Sequence, residues 1–370
     1  MRIGLDARPI FTSEITGIGT YVLKLVQYLQ RHGVRLTLFT NSIDEAPADL
    51  DLSQITVVHA PGRRYAWEVR SLPRLIRQHP IDLYHATWNF GIPKTRIPTL
   101  LSLFDVIPLV LQEHYATSLS SRIELAVYRH FVGQSIRRAT EVVTISNASR
   151  SDILRFFPSA TSKLNVIPLA ADPPATSDDL SKPAEAPDGM YLLYFGGFEK
   201  RKNVETLLSI FPEVRRRFPD ANLVLIGKKN RYYRDNLQRY EHISGVTFTD
   251  YLNRTVLNAL IKHATIVLYP SRYEGFGLPV LEAMQFGTPV ITSNVSSLTE
   301  IARGAAELID PYSPEQLINA IVKLLSDKQL RQQLGEQGKR RAHDYSWEKT
   351  INSTFSIYER MVGKDVWTRK

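Results

Sequence analysis

Two carboxylates flank a glycine-containing turn in the string Glu274-Gly-Phe-Gly-Leu-Pro-Val-Leu-Glu282. The pattern predicts a buried strand over Ile266–Tyr269, a turn at the glycines and a helix over Leu278–Phe286. A helix start offers free backbone N–H groups and the positive end of the helix dipole, which suit a diphosphate. Because Glu274 precedes the helix and Glu282 lies on it, the two carboxylates can contact different ends of one ligand. Spacing alone favours a simpler alternative for each, a helix-capping Glu274 and a solvated Glu282.

A basic turn is the second candidate. The string Gly196-Gly-Phe-Glu-Lys-Arg-Lys-Asn-Val follows a predicted strand over Tyr191–Phe195 and precedes a predicted helix over Val204–Arg217. Basic side chains at a strand end can neutralise a diphosphate, and Arg201 and Lys202 lie where they can do so. Alone, the string indicates a solvated basic turn. Beside the two-carboxylate string, it indicates a phosphate clamp.

A third string, Gly17-Ile-Gly-Thr-Tyr, opens the first long predicted helix. The glycines Gly17 and Gly19 permit close approach of the backbone to a phosphate. As a nicotinamide-binding fingerprint the string is weak, because its gap from the first strand is long. Thr40 and Asn41 also stand where a ribose-binding acid would be needed.

His85 ends a predicted strand in the string Asp82-Leu-Tyr-His-Ala-Thr-Trp. Parallel sheets bind ligands at the carboxyl ends of their strands, so the imidazole is a candidate for a polar contact with a substrate. A histidine at such a position is as often structural, with hydrogen bonds to nearby loops. The sequence leaves these two roles open.

Strand and helix patterns alternate along the chain, which predicts parallel sheets covered by helices. In the first half, strands are predicted at Arg2–Ala7, Val34–Phe39, Gln54–Val58, Asp82–His85, Thr99–Leu103 and Glu141–Ile145, with a helix at Gly19–Arg31. In the second half, strands are predicted at Tyr191–Phe195, Asn222–Ile226, Val246–Phe248, Ile266–Tyr269 and Pro289–Thr292, with helices at Val204–Arg217, Arg254–His263 and Leu278–Phe286. Residues 171–189, rich in proline and acidic residues, predict a linker. Two doubly wound halves joined in this way would form a ligand cleft between them.

The length and composition limit the classes of protein to which the chain can belong. The chain has 370 residues, a net charge of +9 and no cysteine. The length suggests two domains, and an apolar fraction of 43% excludes wholesale disorder. The lack of cysteine excludes a disulfide scaffold, thiol catalysis, cysteine-ligated zinc and iron–sulfur clusters. No apolar run is long enough for a transmembrane helix and the start lacks a signal-peptide core, so we expect a cytoplasmic protein.

The segment Gly62–His79 is basic and contains aromatic residues. Its expected surface residues are Arg63, Arg64, Trp67, Arg70, Arg74 and Arg77. A basic amphipathic stretch with an aromatic anchor predicts contact with an anionic membrane surface. Pro73 argues against one uninterrupted helix, and a solvated helix face is the alternative.

The string PSRYEGFGLPVLEAMQFGTPVITSNVSSLTEIARGAAELIDP, residues 270–311, resembles the E-x7-E motif of retaining GT-B glycosyltransferases of family 4. The resemblance extends over nearly the whole chain and implies two Rossmann-like parallel-sheet domains facing a central cleft. It implies that Glu274 holds hydroxyls of the donor sugar, that Glu282 holds the nucleotide ribose, and that Arg201 and Lys202 clamp the diphosphate. The full donor-binding set that it implies is Gly17, Gly19, Gly197, Arg201, Lys202, Tyr251, Leu252, Glu274, Gly275, Phe276, Gly277, Leu278 and Glu282.

The resemblance also implies a different ligand for each half of the chain. Residues 1–170 would bind the acceptor, with the C-terminal helix 346–370 packed back on them, and residues 190–345 would bind the nucleotide sugar. The catalytic set implied is Glu274, Arg201, Lys202, His85 and Asp105. The chain departs from the family here, since Thr87 and Phe104 stand where relatives often have histidine, so the position of the family histidine is open. Asp49-Leu-Asp51 matches the metal site of the other major glycosyltransferase fold, but it lies in a polar loop, and we expect no catalytic metal.

The opening Ile-Gly-Leu-Asp-Ala-Arg, followed by Gly-Ile-Gly-Thr-Tyr-Val, resembles bacterial polysaccharide and O-antigen mannosyltransferases. That subgroup implies GDP-mannose as donor and a lipid-linked saccharide as acceptor, at the inner face of the cell membrane. Two alternatives remain. One is a sugar phosphorylase or synthase of the same fold with a soluble acceptor. The other is a basic nucleic-acid-binding protein, which the basic and aromatic residues of Lys228–Tyr240 keep open but which we do not expect.

Overall fold

A computed structural model describes residues 1–12, 16–43, 47, 50–62, 64–172 and 180–363. The chain forms two compact units. The first comprises Met1–Leu169 together with the C-terminal segment that starts at Trp347, and the second comprises Ala170–Ser346. Residues 173–179 of the predicted linker, Asp49 and the last seven residues of the chain lie outside the described residues.

The first unit is built on a seven-stranded sheet in the order β3-β2-β1-β4-β5-β6-β7, with every pair parallel. The strands are β1 (Arg2–Asp6), β2 (Arg35–Thr40), β3 (Thr56–His59), β4 (Leu83–Ala86), β5 (Thr99–Ser102), β6 (Glu141–Thr144) and β7 (Leu164–Val166). Parallel strands need crossover connections, and helices on both faces keep the central strands β4 and β5 wholly buried. The sheet therefore presents all its carboxyl ends at one edge.

Helices cover this sheet. They are α1 (Gly17–Arg31), α2 (Leu72–Gln78), α3 (Leu119–Arg138) and α4 (Asn147–Phe156), with shorter segments at Arg8–Ile10, Arg64–Ala66, Trp67–Ser71, Ile107–Val110, Gln112–Tyr115 and Pro158–Ala160. In α1, the residues predicted to face the core, Val22, Leu25, Val26 and Leu29, are fully buried. Each such burial stabilises the fold by about 1.5–3 kcal/mol. The helix α3 begins with a Ser118–Ser121 capping box, and its buried residues lie in its second half.

The second unit has a six-stranded parallel sheet in the order β10-β9-β8-β11-β12-β13. Its strands are β8 (Tyr191–Phe195), β9 (Asn222–Ile226), β10 (Val246–Thr249), β11 (Ile266–Tyr269), β12 (Val290–Ser293) and β13 (Glu307–Ile309). Its helices are α5 (Val204–Arg217), α6 (Arg254–His263), α7 (Leu278–Phe286), α8 (Ser296–Ala302), α9 (Pro314–Ser326) and α10 (Lys328–Ala342), with shorter segments at Lys200–Lys202, Tyr233–Leu237 and Gln238–Tyr240. Because β8 and β11 are neighbours, the turns that follow them lie side by side.

The last helix, α11 (Trp347–Val362), belongs to the first unit and packs on α1. The Tyr28 hydroxyl donates a hydrogen bond to Asn352 Oδ1, and Thr350 Oγ1 donates one to the carbonyl of Pro168 at 2.7 Å. Within the described ranges, no helix is both long and apolar enough to cross a membrane.

Candidate active site

Glu274 is the centre of a buried charged cluster in the second unit. It lies in the turn between β11 and α7, and only 6% of the residue is exposed. Its Oε2 accepts a hydrogen bond from Arg201 Nη1 at 2.8 Å, and its Oε1 accepts one from Lys202 Nζ at 2.7 Å. The hydroxyls of Ser271 and Tyr269 also donate to Oε1, at 2.7 and 3.0 Å. The alternative of a helix-capping Glu274 is therefore wrong, because the carboxylate is turned toward the basic turn.

Sheet topology brings these side chains together. Arg201 and Lys202 belong to the single 3-10 turn Lys200–Lys202 after β8. That turn ends at Asn203 in the left-handed conformation, at φ 61°. The Asn203 side chain donates to the carbonyls of Pro270 at 3.2 Å and Pro311 at 2.8 Å. It thereby ties the basic turn to the end of β11, so the cations are held against Glu274 by backbone as well as by charge.

The electrostatics of the cluster favour three charged groups. Burial raises the pKa of Glu274, but Lys202 and Arg201 lower it more, and the net pKa is about 2. Burial lowers the pKa of Lys202, and the Glu274 carboxylate opposes that shift. Arg201 also pairs with the half-exposed Glu199 at 2.8 Å. The cluster thus holds two cations in fixed positions, where a further anion of a ligand could bind.

The turn between β11 and α7 is fixed by backbone contacts. Gly277 has φ 114°, which a side chain rarely adopts, and a Cβ there would lie 2.7 Å from Leu298. The Ser297 hydroxyl donates to the carbonyls of Glu274 and Phe276. Leu278 begins α7, so the first amides of the helix lie beside the cluster. The residues 275–278 named by the sequence analysis are thus positioned as a backbone surface next to Glu274.

Glu282 lies on α7 with 15% of its side chain exposed, so the solvated alternative does not describe it. Its carboxylate accepts a hydrogen bond from Arg254 Nη1 at 2.9 Å, at the start of α6. Burial raises the pKa of Glu282, which Arg254 partly counteracts. Tyr251, in the loop before α6, is exposed, and Leu252 is half-buried. The two glutamates therefore occupy different environments, and only Glu274 is surrounded by cations and hydroxyls.

Gly17 and Gly19 open α1, with the backbone of Thr16 at the cap position. The helix starts two residues earlier than the sequence pattern predicts, since Gly17 itself is helical. Residues 13–15, which precede Thr16 in the sequence, lie outside the described part of the chain. Gly197 precedes the basic turn, and its carbonyl accepts a hydrogen bond from the Tyr194 hydroxyl at 2.7 Å.

His85 lies inside β4 and is completely buried. Its Nδ1 is 2.6 Å from the Tyr358 hydroxyl on α11, and its Nε2 is 2.8 Å from Ser102 Oγ. Burial lowers the pKa of His85 to about 3, so the ring is neutral. Both ring nitrogens have protein partners, which is the arrangement expected of the structural alternative. Its contact with a substrate stays a prediction.

Asp105 lies at the turn into the short helix Ile107–Val110. Its Oδ1 accepts a hydrogen bond from the backbone N–H of Ile107 at 3.1 Å. The carboxylate therefore holds the turn that leads into this helix through a contact with a residue two positions further on. A role in catalysis for Asp105 stays a prediction.

Trp67 is fully buried, so its prediction as an exposed membrane anchor is wrong. Its ring packs on the Arg8 guanidinium, 4.5 Å from the ring centroid, inside the core of the first unit. Arg70, Arg74 and Arg77 are exposed as predicted. Arg63 lies outside the described residues, and so does the side chain of Arg64. The aromatic residue was misplaced because one tryptophan among arginines has the same pattern whether the ring packs inward or outward.

The sequence analysis missed a buried ionic group at the carboxyl end of β1. Arg8 pairs with Asp6 at 2.6 Å and with Glu68 at 2.8 Å, and all three side chains are nearly inaccessible. The adjacent charges in Asp6-Ala-Arg8 were the available signal. In the ranges described, no group of three His, Asp or Glu side chains gathers in a way that could hold a metal ion.

Each half of the chain matches a known protein family. Residues 15–173 match the family model Glycosyltransferase Family 4, and residues 176–341 match Glycosyl transferases group 1. The chain is 29% identical to O-antigen chain mannosyltransferase B of Escherichia coli, over 97% of this chain and 100% of that protein.

Solved structures show the same fold. Sucrose-phosphate synthase from Thermosynechococcus elongatus aligns with a TM-score of 0.78 at 21% identity, over 97% of this chain and 98% of the other. HepE from Anabaena, in complex with UDP-glucose, aligns with a TM-score of 0.75 at 18% identity, over 96% and 99%. Together with the two parallel-sheet units, these likenesses confirm the predicted GT-B fold of two Rossmann-like domains.

Proposed function

Since the chain belongs to the glycosyltransferases, with a family 4 first half and a group 1 second half, we propose that it transfers mannose from GDP-mannose to a lipid-linked saccharide with retention of configuration. The observation that carries the proposal is the buried cluster in which Glu274 contacts both Arg201 and Lys202. The mannosyl donor is supported by the relative from Escherichia coli, which is named as an O-antigen chain mannosyltransferase and matches over its full length.

The cluster can serve the departure of a nucleoside diphosphate. When the bond between the sugar C1 and the phosphate oxygen breaks, the oxygen keeps the electron pair and the diphosphate gains negative charge. Arg201 and Lys202, fixed before the donor arrives, stabilise that charge, as preorganised cations do in low-dielectric sites. The acceptor hydroxyl attacks C1 from the same face, and its proton passes to the departing phosphate oxygen. This route uses no protein nucleophile and no metal ion.

Glu274 and Glu282 complete the donor site in the proposal. Glu274, whose carboxylate contacts Arg201 and Lys202, would also accept hydrogen bonds from hydroxyls of the donor sugar. Glu282, mostly buried on α7, accepts hydrogen bonds from the ribose. The backbone of residues 275–278 borders the sugar and the phosphates.

Peripheral contact with the cytoplasmic face of a membrane is supported by exposed apolar residues in the first unit. Leu119 is 76% exposed and Ile123 is 59% exposed, and the two lie one turn apart on α3. Arg122 and Arg129, also exposed, lie on the same helix. Apolar side chains with neighbouring cations fit an anionic lipid surface. We therefore place the proposed membrane contact on α3, with Trp67 excluded from it.

The donor can be tested by thermal shift with GDP, UDP, ADP and their sugars, on wild type, Lys202→Ala and Glu282→Ala. A ligand that binds the folded state raises the melting temperature by mass action. We expect a shift with GDP and GDP-mannose that both variants lose. A shift with UDP or ADP alone would overturn the mannosyl assignment and leave the glycosyltransferase.

The acceptor and stereochemistry need a transfer assay. GDP-mannose and a polyprenyl-diphosphate-linked saccharide are incubated with enzyme, with and without EDTA, and the anomeric proton of the product is assigned by NMR. An α-linked mannoside formed equally in EDTA is expected. A β-linked product, or loss of transfer in EDTA, would contradict the proposed mechanism, and transfer only to a soluble sugar would favour the synthase alternative.

A further inference from the structure

The Tyr269 hydroxyl lies between the two charges of the buried pair Lys202 and Glu274, and no step proposed above uses it. Tyr269 is the last residue of β11 and is 1% exposed. Its hydroxyl oxygen lies 2.5 Å from Lys202 Nζ and 3.0 Å from Glu274 Oε1. Since Lys202 Nζ itself donates to Glu274 Oε1 at 2.7 Å, the three groups form a closed triangle.

The direction of each hydrogen bond in this triangle follows from the chemistry of the groups. A carboxylate only accepts hydrogen bonds, and an ammonium only donates them. Burial, together with the nearby Glu274 carboxylate, raises the pKa of Tyr269 well above its usual value, so the phenol keeps its single proton. Tyr269 therefore donates to Glu274 and accepts from Lys202.

The tyrosine hydroxyl fixes the rotation of the Lys202 ammonium about its Cε–Nζ bond. Nζ has three N–H donors. One donates to Glu274 Oε1 and a second donates to the Tyr269 oxygen, so the third is left with one direction. Among the residues that the structure describes, none accepts a hydrogen bond from this third N–H. Because Lys202 is nearly buried and an unmet buried donor is costly, an oxygen of a ligand is the expected acceptor.

Ser271 offers a comparison, because its hydroxyl contacts the same carboxylate oxygen. It lies 2.7 Å from Glu274 Oε1, and the carbonyls of Arg201 and Tyr273 lie within 3.2 Å of it. Removing the hydroxyl of either Ser271 or Tyr269 takes one donor from Oε1. Of these two changes, the loss of the Tyr269 hydroxyl is the one that also takes an acceptor from the Lys202 ammonium.

We propose that Tyr269 is a positioning residue, which turns the third N–H of Lys202 toward an oxygen of the diphosphate. The identity of that ligand rests on the proposed function. Tyr269 acts through Lys202 and does not touch the reacting atoms.

A buried hydroxyl also has a purely structural role, because its hydrogen bonds stabilise the folded unit. The two roles change different quantities. A misdirected donor weakens the affinity of every folded chain for an anion, whereas a loss of stability lowers the fraction of chains that are folded.

The test is a calorimetric titration of the full chain with inorganic pyrophosphate, which has neither a sugar nor a base. The variants are Tyr269→Phe and Ser271→Ala. The control is Tyr191→Phe, at the amino end of β8 and so at the opposite edge of the sheet. It removes an equally buried tyrosine hydroxyl, which donates to the carbonyl of Leu260 at 2.7 Å. Each titration gives the dissociation constant and the stoichiometry separately, and melting temperatures are measured for every variant.

We expect Tyr269→Phe to bind pyrophosphate about tenfold more weakly than wild type, the scale of one hydrogen bond to a charged group, with unchanged stoichiometry. Ser271→Ala should lose less than about threefold in affinity, since it leaves the ammonium in place. Tyr191→Phe should match wild type. Equal losses of affinity in Tyr269→Phe and Ser271→Ala would show that the effect passes through Glu274, and would overturn the proposal. An unchanged affinity in Tyr269→Phe, with or without a loss of stoichiometry, would also overturn it.

The test separates this proposal from the assignment of the donor. Thermal shifts with GDP, UDP, ADP and their sugars are measured on the same preparations. A wild type that responds to UDP alone would overturn the mannosyl assignment and leave the comparison with pyrophosphate intact. A wild type that binds a nucleotide sugar but not pyrophosphate would overturn the role of Tyr269 and leave the donor assignment.

Discussion

The Lys202 ammonium lies 2.7 Å from the Glu274 carboxylate, although 72 positions separate the two residues in the chain. The pair joins the turn after β8 to the turn after β11, and both side chains are less than 10% exposed. A buried charge depends on its partner, because an unpaired one bears the full loss of hydration. The cations of the site are therefore in position before any donor binds.

Replacing Lys202 by alanine should weaken both the fold of the second unit and the proposed reaction. The change removes one of the two cations that contact Glu274 in the described part of the chain, which we expect to lower the free energy of unfolding by about 3 kcal/mol. It also removes one of the two cations proposed to stabilise the leaving diphosphate, so kcat/KM should fall by about 10²–10³. Steady-state rates and urea unfolding measure the two effects. Lys200→Ala, at an exposed neighbour in the same turn, is the control and should change neither.

Glu282→Gln should weaken nucleotide binding with little effect on the diphosphate contact. The substitution keeps the size of the side chain but removes the charge that accepts from Arg254 and, in the proposal, from the ribose. We expect about tenfold weaker binding of GDP in calorimetric titrations, the scale of one charged hydrogen bond. Inorganic pyrophosphate, which has no ribose, is the matched ligand. Equal weakening of both ligands would show that Glu282 does not act on the ribose.

Asn203→Gly should show how much the tie between the basic turn and the end of β11 contributes to the reaction. Glycine accepts φ 61° without strain, so the turn can keep its backbone while it loses the bonds to Pro270 and Pro311. Together with the bond from Thr206 Oγ1, three hydrogen bonds are lost, which lowers the free energy of unfolding by about 3 kcal/mol. We expect kcat to fall about tenfold, since small displacements of reacting groups are costly. Thr206→Ala removes only the bond to Asn203 Oδ1 and should have a smaller effect on kcat. Identical kcat values for wild type and Asn203→Gly would contradict this.

His85 should make the first unit sensitive to acid. Its pKa is lowered to about 3 by burial, whereas the unfolded chain titrates near 6.5. Below pH 6.5 the unfolded state binds a proton that the folded state does not, so stability falls by about 1.4 kcal/mol per pH unit until pH 3. Between pH 7 and 5, wild type should lose about 2 kcal/mol more than His85→Gln.

Tryptophan fluorescence can measure this loss in one unit, because residues 170–346 contain no tryptophan. Urea unfolding at the two pH values, followed by that signal, gives the slope for wild type and variant. Parallel slopes would mean that the imidazole is protonated in the folded protein.

Leu119→Ser/Ile123→Ser should reduce flotation with phosphatidylglycerol vesicles, because it removes exposed apolar area from α3. Trp67→Phe is the comparison, since that ring is buried. It should lower the free energy of unfolding by about 1–2 kcal/mol through a packing defect and leave flotation unchanged. If flotation depended on Trp67 and not on Leu119, the membrane contact would lie near Trp67 and not on α3.

The architecture was predictable to a large degree because alternating apolar patterns specify parallel sheets directly. The predicted helices Val204–Arg217, Arg254–His263 and Leu278–Phe286 have the observed bounds. The strands β7 and β13 were not predicted, since each has only three residues and lies at a sheet edge, where burial leaves a weaker pattern.

Side-chain direction was harder to predict than the elements. Proximity of Arg201 and Lys202 to Glu274 follows from two neighbouring strands, but the direct ion pairs do not, because spacing does not say which way a carboxylate turns. The same limit applied to Trp67 and His85, whose rings point into the core. Partners such as Tyr358 lie far away in sequence and leave no local signal.

The return of α11 to the first unit sets an order of biosynthesis. The ring of His85 meets Tyr358 only after the ribosome has added 273 further residues, which takes roughly 15–55 s at typical rates. Residues 170–346, by contrast, are contiguous and leave the ribosome as a complete unit. The first unit, whose sheet is synthesised first, thus completes its fold last. Until α11 emerges, the surface of α1 that α11 covers is open to the chaperones of the cell.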